Sequence, residues 1–181
     1  LMEFCSRKEL VSQTSHECRE WPLVILKELT DNALDACEEA EIAPCILITV
    51  DQTGVTIADN GPGIPEDTID GILDYSVRAS SREAYVAPDR GAQGNAFKTI
   101  LPMSYVLRGE DGRIDVSAHG KRYTIVFSFD PIRQEPQTAR HSSPDESARI
   151  GTKITVWWPE SARYIMEESK DRFLRLAQDY T

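Results

Sequence analysis

The chain has 181 residues, of which 40% are hydrophobic and 28% are charged; this is ordinary for one folded domain and excludes an intrinsically disordered chain. Its formal net charge of −10 argues against direct binding of nucleic-acid phosphates by this domain. No apolar run reaches the roughly 20 residues that span a bilayer and the N-terminus lacks a signal-peptide layout, so we expect a cytoplasmic protein without membrane contact.

The first half of the chain alternates between helical and strand patterns. Residues 6–15 predict a short, weak helix, and Trp21–Ala40 predicts a strong one with a clearly divided apolar face. Two β-branched runs at 45–50 and 54–59, joined by "DQT", predict a hairpin. Helical spacing returns over 65–77, with Pro65 and acidic residues where a helix prefers to start.

The middle of the chain loses its regular pattern. Residues 78–95 are rich in small residues and have no period, which predicts a long loop of the kind that often binds a ligand. Residues 96–107 predict a short helix that is broken at Pro102.

The last third returns to strands and ends in a helical pattern. Alternation over 113–130 predicts a hairpin around "HGK", and 151–159 predicts a further strand. The polar, proline-containing residues 131–149 predict a mobile surface loop between them. Apolar spacing over 162–180 predicts a C-terminal helix.

The cysteines and histidines indicate no metal or triad chemistry. Cys5, Cys18, Cys37 and Cys45 are irregularly spaced without a Cys-x-x-Cys pair, and no Gly-x-Ser-x-Gly nucleophile motif occurs. Cys37 and Cys45 fit better as small, buried hydrophobic side chains.

A polar edge on the strong helix is the first candidate functional feature. Glu28, Asn32 and Asp35 fall within roughly 60° of one another, opposite the apolar side. A solvated helix face is the alternative, but Asn and Asp are poor helix-interior residues. Glu28 is a candidate general base, and Asn32 is a candidate oxygen ligand for a hard cation such as Mg²⁺.

Two glycine motifs add candidate ligand contacts. In "DNGPGIP" (59–65), Asp59 offers a carboxylate acceptor at a strand end, and Gly61 and Gly63 allow a flat ligand to approach the backbone. In "DRGAQGNAFKT" (89–99), glycines open onto a helix whose free N–H groups favour anions. Taken alone, the first motif is more typical of a plain turn, and the second is neither a Walker loop nor a dinucleotide motif.

The order of these motifs resembles the ATP-binding domain of the GHKL (Bergerat-fold) superfamily. "ELTDNALDA" (28–36), "DNGPGIP", "DRGAQGNAF" and "IGTKITVWWP" match its four motifs in sequence over about residues 17–159. The nearest pattern is the B subunit of topoisomerase VI. MutL-like repair ATPases are the rival, because Ala96 stands where other families have a third glycine, and "ASSR" (79–82) is similar to the lid of both families.

The resemblance implies an α/β two-layer sandwich, with a mixed β-sheet and helices on one face, forming a single ATP-binding domain over 1–181 from which the transducer domain is absent. It implies ATP and Mg²⁺ as cofactors. Asp59 would bind the adenine amino group with help from Thr152 through water, and Asn32 would ligate Mg²⁺. Glu28 would activate water as the catalytic base, while Asp35 braces the site.

The remaining site residues are also implied by this resemblance. Arg82 keeps a positive charge where Lys is usual. Lys98 is a candidate phosphate contact that the family pattern does not clearly require, with a solvated helix residue as the alternative. The other expected nucleotide contacts are Gly61, Gly63, Ile64, Ser81, Gly91, Gln93, Gly94, Asn95 and Ala96.

Three functional classes stay open. The first is a nucleotide-operated homodimer clamp serving DNA topology or repair, with weak ATPase activity in isolation and a separate DNA-cleaving subunit as partner. The second is a chaperone-like or defence module without a DNA role. The third is a nucleotide sensor that does not hydrolyse ATP, against which Glu28 argues.

Overall fold

The computed structural model describes residues 6–73, 94–108, 112–130, 132–133 and 135–180. In these residues the helices are α1 Arg7–Thr14, α2 Trp21–Glu39, α3 Glu66–Leu73, α4 Gly94–Arg108, α5 Arg163–Glu168 and α6 Lys170–Gln178. The strands are β1 Leu47–Asp51, β2 Gly54–Ala58, β3 Gly112–Ala118, β4 Lys121–Asp130, β5 Glu135–Pro144 and β6 Thr152–Trp157. Short 3₁₀ helices lie at Glu146–Ala148 and Glu160–Ala162.

The strands form one sheet in the order β1-β2-β6-β3-β4-β5. The last strand of the chain, β6, therefore lies between β2 and β3, with Ile57 of β2 opposite Ile154. All pairings among the described strands are antiparallel, so the predicted mixed sheet is wrong in this detail. Residue patterns indicate strands but carry no information about their relative direction.

The predicted two-layer α/β sandwich is confirmed. Alternate residues of the four inner strands are buried on the face that carries α2 and α4. These residues are Val55, Ile57, Ile114, Val116, Tyr123, Ile125, Phe127, Ile154 and Val156. The opposite face carries polar groups such as the hydroxyls of Thr56 and Thr155, whose oxygens lie 3.0 Å apart.

Helix α2 forms as the sequence predicts and supplies most of the helical side of the core. Pro22 lies in its first turn, where a missing N–H costs nothing. The indole N–H of Trp21 donates to the carbonyl of His16 at 3.1 Å, which fixes the start of the helix. Its buried apolar residues are Trp21, Ile25, Leu26, Leu29, Ala33 and Cys37.

Pro102 does not break α4, contrary to the prediction. The helix continues from Gly94 to Arg108 with Pro102 in its interior. A proline there costs about 3 kcal/mol in an isolated helix. Leu101 and Met103 are fully buried on either side, and this packing against the sheet outweighs the local preference.

The predicted mobile loop at 131–149 is also wrong over most of its length. Residues Glu135–Pro144 pair with β4 in continuous register, from Asp130↔Glu135 to Lys121↔Pro144. Pro136 and Pro144 lie near the ends of this edge strand, where a missing ladder donor is tolerated. The strand therefore forms through main-chain pairing without the apolar alternation that sequence reasoning looks for.

Smaller differences concern the C-terminus and a cysteine. The tail forms two helices that meet at Ser169, rather than one, and Leu174 is 63% exposed. Cys37 is buried as predicted, but Cys45 precedes β1 and is exposed.

The predicted loop at 78–95 lies outside the described residues, except that Gly94 and the residue after it already belong to α4.

Candidate functional site

A mostly apolar pocket lies between the helical layer and the ends of two neighbouring strands, β2 and β6. Helices α2, α3 and α4 each contribute to its wall. The lining residues are Leu29, Asn32, Ala33, Ala36, Ile57, Asp59, Ile64, Thr68, Phe97, Thr152 and Ile154. Apolar walls with a few fixed polar groups suit a flat, partly polar ligand.

Asp59 is the fixed carboxylate of this pocket. Its Oδ1 accepts hydrogen bonds from the N–H of Gly61 at 2.9 Å and from the N–H of Thr152 at 3.1 Å. Its own N–H donates to the carbonyl of Thr152 at 2.9 Å. Among the described residues Oδ2 has no hydrogen-bond partner. Burial raises the pKa of Asp59 above its ordinary value, while the two N–H donors act in the opposite direction.

Two glycines are required where the turn after β2 meets the start of β6. Gly151 has φ +75°, and a β-carbon there would lie 1.8 Å from the carbonyl oxygen of Asp59. Gly63 has φ +85°, and a β-carbon there would lie 2.8 Å from Nε2 of His119. Both positions need a left-handed backbone that side chains disfavour. The sequence reasoning assigned Gly63 to the site but gave no role to Gly151.

Asn60 was missed by the sequence reasoning, although it lies inside the "DNGPGIP" motif. Its Oδ1 accepts from the N–H of Cys45 at 2.7 Å, and its Nδ2 donates to the carbonyl of Ala43 at 3.0 Å. The thiol of Cys37 also donates to Oδ1, at 3.6 Å. Asn60 thus ties the turn to the segment after α2. An Asn following a strand-end Asp was the available signal, since Asx side chains commonly bond to nearby backbone.

Asn32 carries an unusual polar atom. Its Nδ2 is buried without a hydrogen-bond partner in the described part of the chain, and its side chain lines the pocket. A buried amide N–H without a hydrogen-bond partner lowers the stability of the fold unless a bound ligand accepts its hydrogen bond. Because rotation of the amide exchanges Nδ2 and Oδ1, this position can offer either a donor or an oxygen ligand.

Glu28 and Asp35 lie on the same helix as Asn32, one turn before and about one turn after it, and both are half-buried. Neither lines the pocket. No cluster of three or more His, Cys, Asp or Glu side chains that could hold a metal occurs in the ranges that the structure describes.

Helix α4 begins beside this pocket. Gly94, Asn95 and Ala96 form its first turn, and Phe97 from the same turn lines the pocket. Lys98 is only 8% exposed, so the alternative of a solvated helix residue is wrong.

The structure brings together several predicted residues that are distant in sequence. Asn32, Asp59, Ile64 and Thr152 line one pocket, and Gly61 donates to Asp59. The predicted residues outside the described ranges are Ser81, Arg82, Gly91 and Gln93. Thr68 and Phe97 were missed, although Thr68 lies one helical turn after "DNGPGIP" and Phe97 lies within "DRGAQGNAFKT".

Comparison with known proteins gives consistent matches. A family model described as "Histidine kinase-, DNA gyrase B-, and HSP90-like ATPase" matches residues 19–162. The B subunit of type 2 DNA topoisomerase 6 from Archaeoglobus fulgidus is 28% identical over 140 residues, which cover 74% of this chain and 23% of the relative. The Methanosarcina barkeri protein of the same name is 36% identical over 141 residues, covering 74% and 22%. The chain thus spans less than a quarter of the length of these relatives.

Among solved structures, the 43K ATPase domain of Thermus thermophilus gyrase B in complex with an aminocoumarin is 22% identical. It superposes with a TM-score of 0.43 over 75% of this chain and 32% of that one. No described helix of this chain is both long and apolar enough to cross a membrane.

Proposed function

Because the chain belongs to the family of histidine kinase-, DNA gyrase B- and HSP90-like ATPases, we propose that it binds ATP in the pocket described above and hydrolyses it. The observation that carries this proposal is the carboxylate of Asp59. Two backbone N–H groups hold its Oδ1, while Oδ2 has no partner among the described residues. Such a carboxylate accepts from the amino group of adenine but cannot donate to the carbonyl of guanine, which favours adenine.

The pocket walls and Thr152 complete recognition of the base in this proposal. Leu29, Ile57 and Phe97 provide apolar surface for a flat ring. Thr152 is 5% exposed and its N–H is already used by Asp59, so its hydroxyl is the group that assists, through water. Gly61 and Gly63 let the turn pack closely against Asp59 and against His119, respectively, beside the proposed base site.

The phosphates would extend from the pocket towards the start of α4. The backbone N–H groups of Gly94, Asn95 and Ala96 belong to the first helical turn, where anions are stabilised. Gly91, Gln93, Ser81 and Arg82 are proposed as further contacts on the family pattern alone. Lys98 remains a candidate partner of the phosphates.

Asn32 would hold Mg²⁺ through its amide oxygen, and the cation would neutralise phosphate charge in this acidic domain. Glu28 would accept a proton from the attacking water, because it lies one helical turn from Asn32 on the same side of α2. Asp35, one turn further along, would brace this arrangement without touching nucleotide.

At the level of the whole protein, we propose a nucleotide-operated dimer clamp. The relatives are named as the B subunit of a type 2 DNA topoisomerase, which supports a separate DNA-cleaving subunit as partner. The net charge of −10 supports leaving DNA contact to that partner. We further propose one nucleotide-binding domain spanning the chain and a cytoplasmic location, both on the sequence reasoning alone.

Native mass spectrometry with and without Mg²⁺ and a non-hydrolysable ATP analogue tests nucleotide binding and the dimer clamp together. Two nucleotides in a dimer would support the clamp. One nucleotide on a monomer would support the ATP site but contradict the proposal that this chain forms a dimer clamp. Absence of bound nucleotide would overturn the main proposal.

A further inference from the structure

A cluster of charged side chains fastens α3 to the edge of the sheet. Glu66 and Asp70 are one turn apart on α3, and both face Arg140 on the edge strand β5. The guanidinium of Arg140 donates through Nη1 to Oδ1 of Asp70, and its Nη2 lies 3.6 Å from Oε1 of Glu66. Lys121 on β4 donates to the other oxygen of Glu66 at 3.1 Å.

Arg140 is held more firmly than a typical surface arginine. Its side chain is 28% exposed, and its guanidinium carbon lies 5.4 Å from the ring centroid of Tyr123. Tyr123 itself is 3% exposed. A guanidinium that spans two carboxylates and covers an aromatic ring has few alternative positions, so the contact is geometrically specific.

The same short helix forms one wall of the pocket. Thr68 lies between the two carboxylates in sequence and lines the pocket, as does Ile64 just before the helix. Ile69 is fully buried, so its side chain anchors α3 to the core, while the charged cluster anchors α3 to the sheet edge. Displacing α3 would therefore displace Thr68 and Ile64 with it.

We propose that Arg140 is a positioning residue for the adenine pocket: by bridging Glu66 and Asp70 to β5, it fixes the α3 wall against which the base packs. This inference rests on the proposed function. It assigns a role in nucleotide affinity to the edge strand β5, none of whose residues line the pocket.

Isothermal titration calorimetry with ADP and with a non-hydrolysable ATP analogue tests the inference on the full chain. Arg140→Ala should lower the affinity for both ligands by about three- to tenfold, as expected when a partly exposed ion pair with two carboxylates is lost. The factor should be the same for both, because in the proposed binding mode α3 borders the base while the phosphates extend towards α4. Arg133→Ala is the matched control, since Arg133 is 73% exposed at the turn of the same hairpin.

A double-mutant cycle distinguishes action through α3 from a general effect on folding. Asp70→Asn should weaken binding like Arg140→Ala, and the double variant should be little worse than Arg140→Ala alone. Arg140→Lys should restore part of the affinity, because it keeps the charge but loses the two-pronged contact. Urea unfolding of each variant shows whether it is folded.

Wild-type affinity in Arg140→Ala, or losses in the double variant that multiply as independent effects, would overturn the inference while leaving ATP binding intact. Failure of the wild-type chain to bind either nucleotide would overturn the proposed function, and the inference with it.

Discussion

Gly151 lies directly against the backbone of Asp59, so that a β-carbon on Gly151 would stand 1.8 Å from the carbonyl oxygen of Asp59. This close approach lets the N–H of the next residue, Thr152, reach the carboxylate of Asp59 at 3.1 Å. Because Gly151 has no side chain, the start of β6 can pack against Asp59 and hold its carboxylate in place.

We expect Gly151→Ala to destabilise the fold by at least about 3 kcal/mol, because it adds a backbone clash to the strain of a positive φ. Gly120→Ala is the matched control, since Gly120 has nearly the same φ, +77°, and open space around it. It should cost only about 1 to 2 kcal/mol. Urea unfolding followed by tryptophan fluorescence measures both. Equal losses in the two variants would show that the contact with Asp59 relaxes freely.

Asp59→Asn should weaken ATP binding by about ten- to a hundredfold, because an amide oxygen is a weaker acceptor than a carboxylate and the amide presents a donor to the adenine amino group. The variant should also discriminate less between ATP and GTP than the wild-type chain does. Calorimetric titration with both nucleotides measures the effect, with the remote, exposed Asp171→Asn as control. Unchanged affinity for ATP would remove Asp59 from the adenine site.

The same substitution should stabilise the nucleotide-free protein at neutral pH. Burial raises the pKa of Asp59, so the folded state holds the proton more tightly than the unfolded state does, and the ionised carboxylate opposes folding above the raised pKa. This penalty disappears as the pH falls towards and below the ordinary value of 3.8, where both states are protonated. The advantage of Asp59→Asn should shrink correspondingly across urea titrations from neutral to acidic pH. A constant difference over that range would contradict the burial effect.

Glu28→Gln should lower ATP hydrolysis by at least about a hundredfold while leaving nucleotide affinity within a few-fold of wild type, as expected for a general base that does not bind the ligand. Phosphate release and calorimetric binding, measured side by side, separate the two effects. Glu38→Gln is the control, because Glu38 is exposed near the end of the same helix. Hydrolysis at the wild-type rate would assign the base elsewhere.

Asn32→Ala should remove the dependence of ATP affinity on magnesium. In the wild-type chain we expect tighter binding with Mg²⁺ than with a chelator, since an amide oxygen completes the cation's coordination. In the variant the two conditions should give the same affinity. Gln52→Ala removes an exposed amide in the β1–β2 turn and serves as control. A variant that keeps the full magnesium effect would exclude Asn32 as a ligand.

Local sequence patterns predicted most of the elements, and the motif order predicted that Asn32, Asp59 and Thr152 belong to one site. The order of the strands that place these residues could not be predicted from local patterns. The insertion of β6 between β2 and β3 depends on pairing between segments far apart in the chain, which no local period encodes. The edge strand β5 was missed because its composition resembles a loop. It is held in place by pairing with β4 and by the ion pairs of Arg140, which the local sequence does not reveal. Pro102 was misread because burial of Leu101 and Met103 outweighs helix propensity.

Strand β6 follows the other five strands in sequence but lies inside the sheet, so we expect the pocket to be completed late in folding. The hydrogen bond from the N–H of Thr152 to Asp59 joins residues that are 93 positions apart, so we expect it to form after the local hairpins β1–β2 and β3–β4. A nascent chain that has completed the strong N-terminal helix and both glycine motifs still lacks Thr152 and Ile154, the two residues of β6 that line the pocket. Under the proposed function, we therefore expect the chain to bind nucleotide only after β6 has joined the sheet.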